Sequence, residues 1–562
     1  MKKLIILASA VAGLFMASSC GKMLEVTPPN SIYDEQIEDL LKNGTEDQKE
    51  QILGQIAAGL SQYLNYWNIP NVGTGALAPS TYCMQGIEWM RGLQGNDIAI
   101  GRDANTNGLC GKAFYENTFG FSNANESTNK AHWYVNGQII NKANFVLFYM
   151  TKDMAKTSSL YAQKRAAALM IRAYGYMGLL EEYTQPYSYY TDPNAENTGV
   201  SIYENYDPGQ KPVKRSSVKA SWDFVKEDLK EAIALTKEMG FTNNWQNGEL
   251  EDFDYGLANF LYMRACLLTG DWDNVITAGN SIVGSNKFSF IAAENWGGHN
   301  TGESMDADKL EFLPENNAFT ALKKNPECIF GYNVLSTNNP HVESALCAHF
   351  TRLANPFGYY ASSTCARIDD RLYNKIADDD CRKAAWWPAE IVNFKYLNQT
   401  PATVASYGAL KFAATYGLDE TSGDKHTTKD AAVGINEFCK FRYSEVVLMI
   451  AEAYAQKNDA NGAKTALNPL IKARTADKYD FDSYPSHAGL SALQKVQLQY
   501  RIEMWGENGR EYYNNKRWGI SVNRSDSNVH IAKGVKIEPK EMTCQIIEEE
   551  IQNNPECVQN NF

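Results

Sequence analysis

Histidine is scarce in this chain: seven in 562 residues, with no HExxH arrangement among them. A zinc-hydrolase reading therefore lacks the i, i+4 imidazole pair such chemistry needs, and His341 and His349, eight apart, do not supply it. Cationic charge is also short, 53 Lys plus Arg against 66 Asp plus Glu for a net −13. That balance excludes nucleic acid as a partner, because phosphate neutralisation requires a basic footprint. No CxxC pair, no G-x-S-x-G turn and no phosphate-binding glycine loop occurs. Zinc-ribbon, thioredoxin-like, serine-esterase and P-loop chemistries drop out with them.

Long apolar runs are missing too, apart from one at the start. Lys2 and Lys3 precede an uncharged stretch from Leu4 to Ala17, and Ala17, Ser18 and Ser19 lead into Cys20. A positive end, an apolar segment shorter than a spanning helix and a small-residue cleavage region make a secretory signal over residues 1–19. An ordinary leader would have this form. A cysteine directly after the small residues also resembles a bacterial lipobox, in which Cys20 is acylated and becomes the first mature residue, and acyl chains would hold a soluble body at a membrane. Gly21 at the next position favours export to the outer membrane. Ten further cysteines are scattered along the chain, and Cys266 and Cys439 lie in or beside apolar segments where a free buried thiol is expected.

Apolar residues make up 44% and charged residues 21%, the composition of a globular protein. Apolar positions in "AQKRAAALMIRAYGYMGLLEEY" fall at Ala166, Leu169, Met170, Ala173, Met177 and Leu180, one face of a helix. "YSEVVLMIAEAYAQ" repeats the pattern, and further helices are predicted near 131–150, 221–237, 255–268, 272–283, 460–474 and 490–505. Turns such as "TGDW" and "KNDANG" are short enough to join helices into stacked pairs. The predicted fold is mainly α, a tetratricopeptide-like helix-pair scaffold with few short strands. Long irregular stretches rich in Asn, Gly, Thr and aromatics fill 66–128, 184–218, 292–440 and 520–562; loops of that length carry function more often than they merely connect. Trp386 and Trp387 in "AWWP" are expected in a strand core.

Several segments in order resemble the SusD/RagB family of outer-membrane nutrient-binding lipoproteins. "CGKMLEVTPPNSI" is similar to the family's start, "GLQGNDIAI" to its early loop, "RAAALMIRAYGYMGLLEEY" to its RAY helix and "FRYSEVVLMIAEAYAQKNDANGAKTALNPLIKAR" to its RYAEVLLMYAEA helix and partner. "RIEMWGENGREYYNNKRWG" resembles the closing E-x3-E-x2-R helix and R-W-G, although Tyr512, Tyr513 and Asn514 replace the usual Asp segment. Glu503, Glu507 and Arg510 stand at helical spacings, so an intrahelical ion pair is expected. Glu445, Glu452 and Arg510 are read as structural.

The resemblance implies one SusD-like domain over 20–562, with an N-terminal part to 300 and a C-terminal part from 301. It implies a surface-exposed, lipid-anchored protein of the cell outer membrane that binds oligosaccharide or polysaccharide and delivers it to a SusC-like TonB-dependent transporter. It implies no reaction and no cofactor. A RagB-like peptide binder, a helical-repeat scaffold for a protein partner and a surface glycoside hydrolase are the competing readings. Hydrolysis would need two carboxylates across a cleft; Glu181 with Glu182, and Asp369 with Asp370, are sequence neighbours that point apart.

A sugar offers C–H faces to aromatic rings and hydroxyls to Asn, Asp, Arg and Gln. Four stretches interleave these types: Tyr66 and Trp67; Trp89, Arg91 and Asp97; Trp296, His299 and Asn300; Tyr359 and Tyr360. Trp67 and Trp296 are the leading candidates, while Trp89 suits a core position equally. Asp103, Asn105 and Asn107 fit the first half of a calcium loop, but Phe114 stands where the bidentate Glu belongs, which makes a polar turn the better expectation.

Overall fold

The computed structural model describes residues 34–57, 60, 84–100, 122–207, 209–241, 253–298, 317–320, 322–332, 366–394, 402–404, 406–412, 438–531 and 533–561. The chain divides into units 1–58 and 59–562. In the first, helices α1 (Asp34–Asn43) and α2 (Glu46–Ala57) pack together. Thr45 starts α2 with a reciprocal cap, its backbone N–H donating to Gln48 and its hydroxyl accepting from the Gln48 N–H.

The second unit holds α3 (Met84–Leu93), α4 (Ser127–Tyr149), α5 (Ser159–Tyr183), α6 (Val218–Thr236), α7 (Tyr255–Thr269) and α8 (Trp272–Val283). After the central segments come α9 (Tyr443–Gln456), α10 (Ala460–Arg474), α11 (Ala492–Glu503) and α12 (Arg510–Trp518). Helix starts follow local chemistry: Ser158, Ser217, Asp254, Asp459 and Ser491 each accept a backbone N–H of the first turn. Between α7 and α8 the turn is made by Gly270 at φ +74°, a left-handed conformation that costs glycine nothing. Neighbours then stack in series: α5 on α4 and α6, α7 on α6 and α8, α9 on α8, α10 and α11. Gly279 permits the α8 to α9 approach, since a Cβ there would sit 2.6 Å from Ile450.

The scaffold is therefore mainly helical, as its periodicity predicts, with α8 and α10 at the expected bounds. Among the described residues four two-stranded antiparallel sheets accompany it. Strand β1 (Ile98–Ile100) pairs with β3 (Ala366–Ile368), β2 (Cys328–Tyr332) with β6 (Phe438–Arg442), β4 (Ile391–Phe394) with β5 (Ala402–Val404), and β7 (Val522–Asn523) with β8 (Lys536–Ile537). Trp386 and Trp387 are buried as expected, but outside a strand: Trp386 follows a 3-10 turn, makes an isolated bridge to Ala409 and packs edge-on against Trp505 at 5.3 Å. Cys266 and Cys439 are buried and free of disulfides, as are Cys544 and Cys557.

Two elements differ from expectation: α3 falls within 66–128, a stretch expected to be irregular, and the closing helix is shorter than its motif. The stretch predicted over 490–505 does not carry Glu507 and Arg510, because Gly506, Asn508 and Gly509 all adopt positive φ and end it after Glu503. No intrahelical pair forms. Arg510 opens α12 and pairs with Glu181 at 3.1 Å instead.

Candidate functional site

Three of the sequence-derived ligand candidates are inside the packed body. Trp296 is fully buried: its Nε1 donates to Glu503 at 3.1 Å, Phe319 meets it edge-on at 5.2 Å, and the Lys411 ammonium lies 5.0 Å from the ring centre. Arg91 is equally enclosed and donates to Glu182, Gln94 and Asn129. Asp97 is 1% exposed and accepts from Arg501 at 2.8 Å. These side chains offer no face to an incoming ligand, and each is committed to a core or ion-pair partner. Tyr66, Trp67, His299, Asn300, Tyr359, Tyr360, Asp103, Asn105, Asn107 and Cys20 lie outside the described residues. Trp89 stands on α3, its side chain likewise outside them.

The burial of Trp296 reflects a large ion network around Glu503. Its two carboxylate oxygens take hydrogen bonds from Arg442, Arg474, Arg382 and Trp296. Glu327 bridges Arg442 and Arg474, and Glu507 accepts from Arg442 and Lys411. Burial alone would raise the Glu503 carboxyl; the guanidinium groups of Arg474, Arg442 and Arg382 outweigh it and hold the group well below the usual carboxylate range. Burial draws the Lys411 ammonium down to about 8 against the pull of Glu507. Every charge here has a partner, so the network is a structural centre rather than a reactive one. The adjacent carboxylates diverge in the same way: Glu181 serves Arg510, while Glu182 serves Arg91 and Tyr513. Asp369 holds Arg371, and Asp370 accepts from Asn528. Among the described residues no group of His, Cys, Asp and Glu is arranged to hold a metal.

The open chemistry lies elsewhere, in a cleft of about 320 Å³ between α4, α5 and the segment 200–210. One face of α4 supplies Trp133, Gly137, Ile140, Asn141 and Asn144, spaced so that all fall along a single stripe. From α5 come Tyr176 and Leu179; the segment adds Ser201, Tyr203, Asn205, Asp207 and Gln210, and Glu550 closes one side. Trp133 stands edge-on to Tyr183 at 4.9 Å, which fixes its ring.

The segment is tied down at its base. Tyr203 N–H donates to the Tyr176 hydroxyl at 2.7 Å, Asn144 Nδ2 donates to the Tyr203 carbonyl at 2.7 Å, and Arg172 donates to the Glu204 carbonyl at 2.7 Å. Arg172 is itself gripped by both oxygens of Asp228. Burial, then the Glu550 charge, raises the Tyr203 phenol, so it stays a neutral donor and acceptor. Beyond Tyr203, Tyr206 meets Phe145 at 5.0 Å and the half-exposed Phe148 at 6.1 Å, extending the aromatic surface. The arrangement can stack apolar faces on rings while amides and carboxylates satisfy hydroxyls around them.

The residue-type criterion that selected four other stretches also fits "IYENYDPGQ" at 202–210, within an expected loop region, yet the remainder of the cleft comes from a helix. Trp133, Asn141 and Asn144 recur at helical spacing on the polar side of α4, a signal hidden when a helix is read only for its apolar face.

Two family models match the chain: "SusD family" over 358–562 and "Starch-binding associating with outer membrane" over 97–240. Among solved structures, a SusD-like carbohydrate binding protein from Bacteroides vulgatus is 18% identical with a TM-score of 0.65, covering 90% of this chain and 97% of its own. A SusD superfamily protein from Bacteroides thetaiotaomicron is 18% identical with a TM-score of 0.63 over 92% and 99%. Surface glycan-binding protein A from Bacteroides fluxus is 17% identical with a TM-score of 0.58 over 91% and 99%. At these identities the likeness is one of fold. No curated protein matches by sequence.

Proposed function

We propose that this chain, matched by the SusD family model over 358–562 and by the starch-binding outer-membrane model over 97–240, acts as a SusD/RagB protein that binds oligosaccharide or polysaccharide at the outer membrane and passes it to a partner transporter. The observation that carries the reading is the cleft over α4 and α5, where the rings of Trp133 and Tyr203 are interleaved with Asn141, Asn205, Asp207 and Gln210 above a buried base of Tyr176 and Asn144. Aromatic faces ringed by amide and carboxylate groups are what a polyhydroxylated ring requires. The names of the two similar structures described as carbohydrate and glycan binders support the same ligand class. A SusC-like TonB-dependent barrel is the proposed partner, and acylated Cys20 the proposed anchor on the cell surface. Tyr66, Trp67, Trp89, His299, Asn300, Tyr359 and Tyr360 are proposed as additional contacts to a longer polymer.

Affinity gel electrophoresis against a panel of neutral polysaccharides tests the reading. Wild type is expected to be retarded on at least one of them, and Trp133→Ala to lose about tenfold in affinity, the order of one aromatic contact, with its far-UV spectrum unchanged. Trp67→Ala in the same gels reads the loop contacts. Equal retardation of wild type and Trp133→Ala removes the cleft from the proposal; migration unaffected by any saccharide, with capture of peptides instead, removes the ligand class.

A further inference from the structure

We propose that a second cavity, of about 520 Å³ and lined by Arg371, Lys375, Arg501 and Gln497, receives an anionic group carried on a saccharide. The inference rests on the saccharide-binding reading and names a subclass of ligand for a different place in the fold. The cavity lies between the short helix Asp370–Tyr373 and the residue following it by two, the segment around Pro485–His487, α11, and Ile520–Asn523.

The cations are held from behind. Arg501 sends Nε and Nη2 to Asp97, which is 1% exposed, and Arg371 sends Nε to Asp369 and Nη1 to the Asn523 carbonyl. Those bonds fix both guanidinium planes while leaving donors unspent. Arg501 Nη1, Arg371 Nη2, Lys375 Nζ and the Gln497 amide have no partner among the described residues. No carboxylate lines the cavity. Asp97 and Asp369 anchor Arg501 and Arg371, so the excess at the cavity is the charge of Lys375, for which the described residues supply no carboxylate partner; Asp370 accepts from Asn528, and Glu538 pairs with Lys536 outside the lining.

A third carboxyl stands close behind, but it does not cancel that excess. Glu511 is buried and lies beside Asp97; burial first, and then the Asp97 charge, raise its carboxyl to about 8 against the pull of Arg501, so it is predominantly neutral at pH 7. Leu372, Leu490 and Leu498 supply an apolar floor. Fixed guanidinium donors above an apolar surface suit a sugar ring bearing a carboxylate or sulfate better than a free inorganic ion, which would leave that floor uncovered.

Calorimetric titration of the full chain with trigalacturonate, with a sulfated galactotriose and with neutral galactotriose tests the assignment. The expected result is about tenfold or greater preference for at least one anionic trisaccharide over the neutral one, weakened by added salt. The better of the two anions identifies uronate or sulfate ester as the source. Lys375 is exposed, so Lys375→Glu should fold as wild type does and abolish the preference, while Lys375→Ala and Gln497→Ala should reduce it. Equal affinity for anionic and neutral ligands, or a preference that survives Lys375→Glu, overturns the proposal. Failure of the underlying reading shows separately, as loss of the Trp133-dependent retardation on neutral polysaccharide.

Discussion

The centre around Glu503 and the cleft over α4 and α5 use the same kinds of side chain to opposite ends. At the centre, carboxylates and guanidinium groups are fully enclosed and spend their hydrogen bonds on one another. In the cleft, the backbone at Tyr203 and Glu204 is fixed by buried Tyr176, Asn144 and Arg172, while Asn205, Asp207 and Gln210 remain exposed. Enclosure makes charge a fastener; a rigid base with an open rim makes polarity available to something else.

Breaking the centre should have the largest effect. Glu503→Gln leaves Arg442, Arg474 and Arg382 buried with too little counter-charge, and the expected loss is about 3–5 kcal/mol of stability, since one member of a buried ion network has been removed. Urea denaturation of wild type and variant measures it; a shift below about 1 kcal/mol would show that the network contributes little.

Tyr176→Phe probes the base of the cleft. It strips the hydroxyl that accepts from the Tyr203 N–H, leaving a part-buried donor unsatisfied at a cost of about 1–2 kcal/mol, and the rim should bind its ligand more weakly. A variant with wild-type melting and wild-type retardation would mean that the segment is held by its other bonds alone.

A further effect is a tilt with pH at Glu511. Its folded carboxyl stands at about 8 against an ordinary 4.5, so the neutral form is the one the fold prefers. Its stabilising contribution is complete below pH 4.5 and is lost as pH rises through 8. Glu511→Gln, which cannot ionise, should therefore gain on wild type between pH 5 and pH 8.5 in urea midpoints. A difference that stays constant over this window would place the carboxyl in its ordinary range.

The helices were legible in the sequence because their cause is local: apolar residues every three or four positions set α8 and α10 at their observed ends, and Asp459 caps the start of α10. The site was less so. Trp296 sits in "ENWGGHN", whose polar and glycine-rich neighbours read as an open loop, yet its burial is decided by Phe319, Trp386 and Glu503, remote in sequence. Arg91 and Asp97 were misread for the same reason, their partners Glu182 and Arg501 lying far along the chain. The E-x3-E-x2-R spacing suggested one helix, but three left-handed residues between Trp505 and Arg510 send the arginine to Glu181, while both glutamates meet Arg442.

That left-handed turn has a consequence for the order of assembly. The last hundred residues reach back to α3, the turn after it and α5, Arg510 to Glu181, Arg501 to Asp97 and Cys544 to Arg91. Such closures come late, because the entropy of a long loop must be overcome before the contact forms. The contacts of α3 and α5 with the C-terminal segment are therefore expected to be the last to form in refolding.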